Sequence, residues 1–140
     1  MLYLDTSLLV AALTNENETA RIQQWLQEQD PEELAASDWV VAEFSSALSI
    51  KLRTGQIGPG HRADALALFT RLCRDSFNML PVLRAQFRLA ARFADQAAAG
   101  LRAGDALHLA ICAGQGATLC TLDRRLDAGG SALGIKTRLL

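Results

Sequence analysis

Short apolar runs recur along this chain, and segments of helix length separate them. The first run, Leu2–Leu4, is closed at once by Asp5, Thr6 and Ser7. Its residues are apolar on successive positions and do not alternate with polar ones, which fits a strand buried on both faces. Similar runs predict strands at residues 34–36, Asn78–Leu80, 117–121 and 135–138. Between them the apolar spacing turns helical. Thr6 or Ser7 is the expected cap of a helix through Leu13, and residues 16–29 follow, with Ile22, Trp25 and Leu26 on one side. Ser37 or Asp38 then caps a helix through Arg53, ended by Gly55. Pro59–Asp75, residues 83–99, residues 105–113 behind Gly104, and residues 122–128 complete the set. Buried strands joined by helices predict an α/β protein with a parallel sheet. No repeat or linker divides the 140 residues, so one domain over 1–140 is expected.

Half of the residues are hydrophobic, enough to fill a core and incompatible with a disordered or collagen-like chain. Fourteen basic residues face fifteen acidic ones, for a net charge of −1. A histone-like protein is thereby excluded, and any grip on nucleic acid must be a local patch. Twelve of the basic residues are Arg, a side chain suited to planar contacts with phosphate or carboxylate. Cys73, Cys112 and Cys120 lack zinc-site spacing and read as small core residues, which implies a reducing cytoplasm. The apolar run at 8–13 has six residues where a membrane span needs about 20, so neither a secretory leader nor a membrane anchor is expected.

The informative feature is where certain acids fall. Asp5 stands at the carboxyl end of the first buried strand, the edge at which open parallel sheets bind ligands; a helix N-cap is its plainer role. Glu43, inside WVVAEFSSALSIKL, has Val40, Phe44 and Ala47 for helical neighbours and lies on or beside the apolar stripe. A carboxylate there needs a cation or several hydrogen-bond donors. Asp105, in LRAGDALHLAICAG, has Leu101, His108 and Leu109 one turn away, with interaction with the helix dipole as the plainer reading. His108 reads as a hydrogen-bonded helix residue and not as a ligand. Asp123 follows ATLCTL, just beyond another strand end, with Asp127 one turn later. Two carboxylates about 5 Å apart repel by roughly 3 kcal/mol at an effective dielectric of about 20. A divalent cation relieves that repulsion, and an all-oxygen donor set favours Mg2+ or Mn2+ over zinc.

LYLDTS at the start, AEFSSALSIKLRTG in the middle, and LRAGDALHLAICAGQGATLCTLDRRL followed by LGI together resemble the PIN-domain ribonucleases. They are most similar to the VapC type, the toxin of bacterial VapBC toxin–antitoxin pairs. The resemblance spans nearly the whole chain. It implies a three-layer α/β/α sandwich with a five-stranded parallel sheet, and Mg2+-dependent endonucleolytic cleavage of RNA, with Mn2+ as a possible substitute. On the matching motifs, Asp5 and Asp105 would be the principal metal ligands. Glu43 would complete the acidic site and Asp123 would be the fourth acid. Thr6 and Thr121 would hydrogen-bond the acids or the substrate. Water would attack the scissile phosphorus in line, leaving a 5′-phosphate and a 3′-hydroxyl. The resemblance also implies a homodimer and a VapB-like antitoxin whose C-terminal segment offers a basic side chain to the acids. The helices from Ala42 to Leu52 and from Ala63 to Leu72 are candidate surfaces for both contacts. Arg53, Arg102, Arg124 and Arg125 are candidate RNA contacts.

Two other readings compete. A non-catalytic PIN-like scaffold would bind RNA or a partner without cutting. A haloacid-dehalogenase-like phosphatase would use LDTS and GDA, but that family has a second Asp two positions after the nucleophile, where this chain has Ser7.

Overall fold

The computed structural model describes all 140 residues. Five short strands form one fully parallel sheet. They are β1 (Leu2–Leu4), β2 (Leu34–Ser37), β3 (Asn78–Leu80), β4 (Thr118–Thr121) and β5 (Thr137–Leu139), in spatial order β3-β2-β1-β4-β5. Leu2 pairs with Leu34 on one side and Thr118 on the other, so the first strand occupies the centre of the sheet. That is the position its unbroken apolar sequence requires, and Tyr3 and Leu4 are fully buried.

Seven helices cover the sheet: α1 (Thr6–Leu13), α2 (Thr19–Gln27), α3 (Asp38–Arg53), α4 (Pro59–Asp75), α5 (Arg84–Ala94), α6 (Ala103–Gln115) and α7 (Arg124–Ala132). The chain steps outward from β1 to β2 to β3, then returns past β1 to β4 and β5. Right-handed crossovers place helices of the outward steps on one face and those of the return steps on the other. The packing follows: α1 touches α2, α3 and α4, while α5 lies along α6 and α7 packs on β4 and β5. The result is the expected α/β/α sandwich. Its core joins Leu8 and Leu9 of α1, Phe44 of α3 and Leu109 and Ile111 of α6 to the central strands. Phe44 stacks on Phe69 of α4 with ring centroids 4.1 Å apart.

Several boundaries depart from the expectation. Asp5, not Thr6 or Ser7, caps α1, its carboxylate accepting from the Leu8 N–H. The second helix begins at Thr19 and not at 16. The Thr19 hydroxyl accepts from the Glu16 N–H and donates to the carbonyls of Ala11 and Thr14, tying those residues into a turn. The predicted helix over 83–99 stops at Ala94; a separate 3-10 turn at Ala97–Ala99 leads to Gly100 at φ +62°. The helix at 105–113 is longer, Ala103–Gln115. The last helix starts after Asp123 and runs on through Gly129 and Gly130. Those glycines permit close approach: a Cβ on Gly130 would stand 2.5 Å from Thr137 Cγ2 and 2.8 Å from Leu109 Cδ2. Cys112 and Cys120 are buried, Cys73 is half-buried, and all three are free thiols. No helix is long and apolar enough to cross a membrane.

Candidate active site

The strand order reverses between β1 and β4, and crevices at the carboxyl ends of such strand pairs are the usual ligand sites of open α/β sheets. Asp5 follows β1 directly and Thr121 ends β4. Their side chains meet: the Thr121 hydroxyl donates to Asp5 Oδ2 at 2.6 Å. Ser7 donates to the same carboxylate at 2.8 Å and the Leu8 N–H at 3.0 Å. Asp5 is only 3 % exposed. Burial pushes its carboxyl above the usual aspartate range, against the opposing effects of His108, Thr121, Leu8 and Ser7.

Glu43 reaches the same edge from the second turn of α3. Its Oε2 accepts from Thr6 Oγ1 at 2.5 Å and lies 2.6 Å from His108 Nε2. Burial alone pushes the Glu43 carboxyl up. The hydrogen bond and charge of His108, aided by Thr6 and Trp39, outweigh it and hold the group below the usual glutamate range. The need for donors at this position is therefore met within the chain. The Trp39 indole N–H is close enough to favour the Glu43 charge, yet it is buried and makes no hydrogen bond of good geometry.

Asp105 lies in the first turn of α6, where its Oδ2 accepts from the Arg102 N–H at 3.1 Å and its charge complements the helix dipole. The preceding residue presses on Glu43: a Cβ on Gly104 would stand 3.0 Å from Glu43 Oε1. Asp123 caps α7, its Oδ1 accepting from the N–H groups of Arg125 and Leu126 at 2.8 and 3.2 Å. The Asp123 N–H donates to Thr121 Oγ1 at 2.9 Å, so one hydroxyl joins Asp123 to Asp5.

Asp5 and Asp123 are thus joined through Thr121, and Glu43 is held by Thr6, the neighbour of Asp5; Asp105 follows Gly104, which lies against Glu43, but its own carboxylate touches none of the other three. Asp5 and Glu43 are the inner pair, and Asp123 is exposed at the margin. None of the four is paired with Lys or Arg; the one basic side chain touching them is His108, on Glu43. Asp127, one turn beyond Asp123, is half-buried and its carboxylate joins none of these contacts. The donor chemistry, carboxylate oxygens throughout, is that of a hard divalent cation. Each carboxylate nevertheless turns to a donor of its own chain, and no three of the His, Cys, Asp and Glu side chains are drawn into a metal-binding group.

Thr6 and Thr121 bond the acids as their sequence neighbours implied. His108 is hydrogen-bonded, as read, and buried at 4 % exposure. Sequence reasoning missed three partners. Ser7 bridges Asp5 and the Leu122 N–H. Tyr3 Oη lies 2.9 Å from His108 Nδ1, and Ser37 Oγ lies 2.7 Å from Tyr3 Oη. A tyrosine inside a strand read as wholly buried was the available signal, because its hydroxyl must find a partner there. Arg53, Arg102, Arg124 and Arg125 are all exposed; the Arg53 side chain donates to Ser49, and no guanidinium of the four pairs with an acid of the site.

The family model described as PIN domain matches residues 2–130. No curated protein matches the chain significantly in sequence. Among solved structures, FitAcB from Neisseria gonorrhoeae superposes with TM-score 0.73 at 21 % identity, covering 98 % of this chain and 96 % of that one. VapC20 of Mycobacterium tuberculosis, described as a toxin that cleaves the sarcin-ricin loop, superposes at 0.74 with 16 % identity over 96 % of both chains. VapBC2 from Rickettsia felis, bound to a DNA fragment of its promoter, gives 0.66 at 16 % identity over 100 % and 99 %. At such identities these likenesses establish the fold.

Proposed function

This chain belongs to the PIN-domain family, and from that premise we propose that it is a Mg2+-dependent endoribonuclease, with Mn2+ able to substitute, acting as the toxin of a type II toxin–antitoxin pair. The supporting observation is the acid cluster at the point where the strand order reverses, with no Lys or Arg to neutralise it. Asp5, Asp105, Glu43 and Asp123 are the residues that would hold the cation. When bound, such an ion polarises a phosphodiester oxygen and lowers the pKa of water. The chain's own residues orient the acids. Ser7, Thr121 and the Leu8 N–H fix Asp5, while His108 and Thr6 fix Glu43 through Oε2 and leave Oε1 without a hydrogen bond.

The proposed partners follow the same reading. VapBC2 is described as bound to a DNA fragment from its promoter, and an antitoxin of the VapB kind is proposed for this chain, with a basic side chain meeting the acids. A homodimer is proposed as well. Val41 and Ile50 on α3 and Leu68 on α4 are exposed apolar side chains available to either contact. The proposed place of action is the cytoplasm, which suits three free thiols.

Purified protein incubated with fluorogenic RNA is expected to cut it with Mg2+, to stop with EDTA, and to lose the activity in Asp5→Asn. Cleavage at the parental rate by folded Asp5→Asn would overturn the assignment. That no three of the His, Cys, Asp and Glu side chains are drawn together into a metal-binding group favours a second reading, a scaffold that binds without cutting. RNA binding without Mg2+-dependent cleavage would establish that one instead.

A further inference from the structure

A line of buried hydrogen bonds runs from β2 through β1 and α6 to the acid cluster. Ser37 and Tyr3 are fully buried and His108 nearly so. Phe at position 3 and Leu at 108 would fill similar space at no polar desolvation cost. The polar groups are nonetheless kept, and their protons run in one direction. The Ser37 hydroxyl has Tyr3 as its only acceptor within reach and itself accepts from the Val40 N–H. Ser37 therefore donates to Tyr3 Oη, and the phenol, which burial keeps protonated, donates to His108 Nδ1. In the neutral imidazole the one proton then resides on Nε2, 2.6 Å from Glu43 Oε2, and an ionised carboxylate can only accept. Thr6 donates to the same oxygen. Glu43 Oε1 is left unbonded above Gly104, beside the turn that carries Asp105.

We infer that Tyr3 and His108 are positioning residues that lock one imidazole tautomer and so fix the rotation of the Glu43 carboxylate, presenting Oε1 to the cation of the acid site. This rests on the nuclease reading above and adds to it how the third acid is aimed. Partners that orient ligating groups through a hydrogen bond contribute about 10–100-fold in metal affinity or activity. One neutral hydrogen bond is worth about five-fold.

Two measurements test the relay. Long-range 1H–15N NMR of the imidazole is expected to show Nδ1 as an acceptor and Nε2 protonated in the wild-type chain, with a tautomer mixture in Tyr3→Phe. Calorimetric titration with Mn2+ is expected to show affinity falling about 10–100-fold in His108→Leu and about five-fold in Tyr3→Phe. His108→Gln, whose amide N–H can stand for Nε2–H, should recover most of the loss. In RNA cleavage kcat falls while KM holds. A His108 proton on Nδ1, Mn2+ affinity unchanged in folded His108→Leu, or a Gln variant no better than Leu would each overturn the inference. Should His108→Leu fail to fold, the wild-type tautomer and Tyr3→Phe decide alone. A wild-type chain that neither binds Mn2+ nor cleaves RNA sinks the nuclease reading instead, and the NMR result still judges the relay.

Discussion

Thr121 donates to Asp5 across 2.6 Å, a contact between residues 116 positions apart that joins the ends of β4 and β1. It is the shortest of the bonds holding a carboxylate that burial has made reluctant to ionise. Two acids at this edge are pushed in opposite directions, and the difference is open to measurement.

Asp5 has its folded pKa raised, so the folded chain binds more protons than the unfolded one between the two pKa values. Its contribution to stability is present in acid and lost as pH rises through the folded pKa. Asp5→Asn keeps a good N-cap for α1 without the buried charge. In EDTA at pH 7 its Tm is expected to exceed that of the wild type, with the gap closing toward acid pH. Thermal scans across pH check this, and a lower Tm at neutral pH would contradict it.

Glu43 behaves in the reverse sense. Its folded pKa is depressed, so its contribution is present at neutral pH and fades as pH falls through that depressed value. Glu43→Gln is expected to be less stable than the wild type at pH 7 and equal to it once the pH lies below the depressed folded value. Paired denaturant titrations in EDTA at the two pH values would show it.

Gly104→Ala separates activity from stability. The added Cβ meets Glu43 Oε1 at 3.0 Å and Trp39 Cζ2 at 3.4 Å, so the carboxylate held by Thr6 and His108 must turn by a few tenths of an ångström while the backbone stays in place. An Ala in α6 also gains up to about 1 kcal/mol of helix propensity. Folding stability is expected to hold within about 1 kcal/mol while RNA cleavage and Mn2+ affinity drop. Full activity in this variant would show that the direction of Oε1 does not matter.

Gly130→Ala does the opposite. Its Cβ would overlap Thr137 and Leu109, both packed, and overfilling of that kind costs typically 1–3 kcal/mol. Urea unfolding should show the loss. Cleavage per folded molecule should be unchanged, because the atoms that the new Cβ meets, on Thr137 and Leu109, belong to none of the four acids.

Much of this was legible in the sequence because punctuation was strong. Pro59 starts α4, Pro81 closes β3, and both elements stand where the pattern put them. Helix ends without punctuation were not legible. Ala94 to Ala99 is Ala-rich, and nothing before Gly100 announces the break after Ala94. The turn ahead of α2 is set by Thr19 reaching back to Ala11, a contact that spacing within a helix does not reveal. At the site, the acids showed themselves by standing at strand ends. Their partners did not, since the link from Glu43 to His108 spans 65 positions and that from Tyr3 to His108 spans 105. Those pairings exist only once β1, α3 and α6 have packed.

The placement of β1 at the middle of the sheet has a consequence during synthesis. Asp5 leaves the ribosome 116 residues before Thr121, the last residue of the strand that flanks β1. Until β4 has been made, a growing chain carries the Asp5 carboxylate without the hydroxyl that holds it, so the acid edge can be completed only after residues 118–121 have docked beside β1.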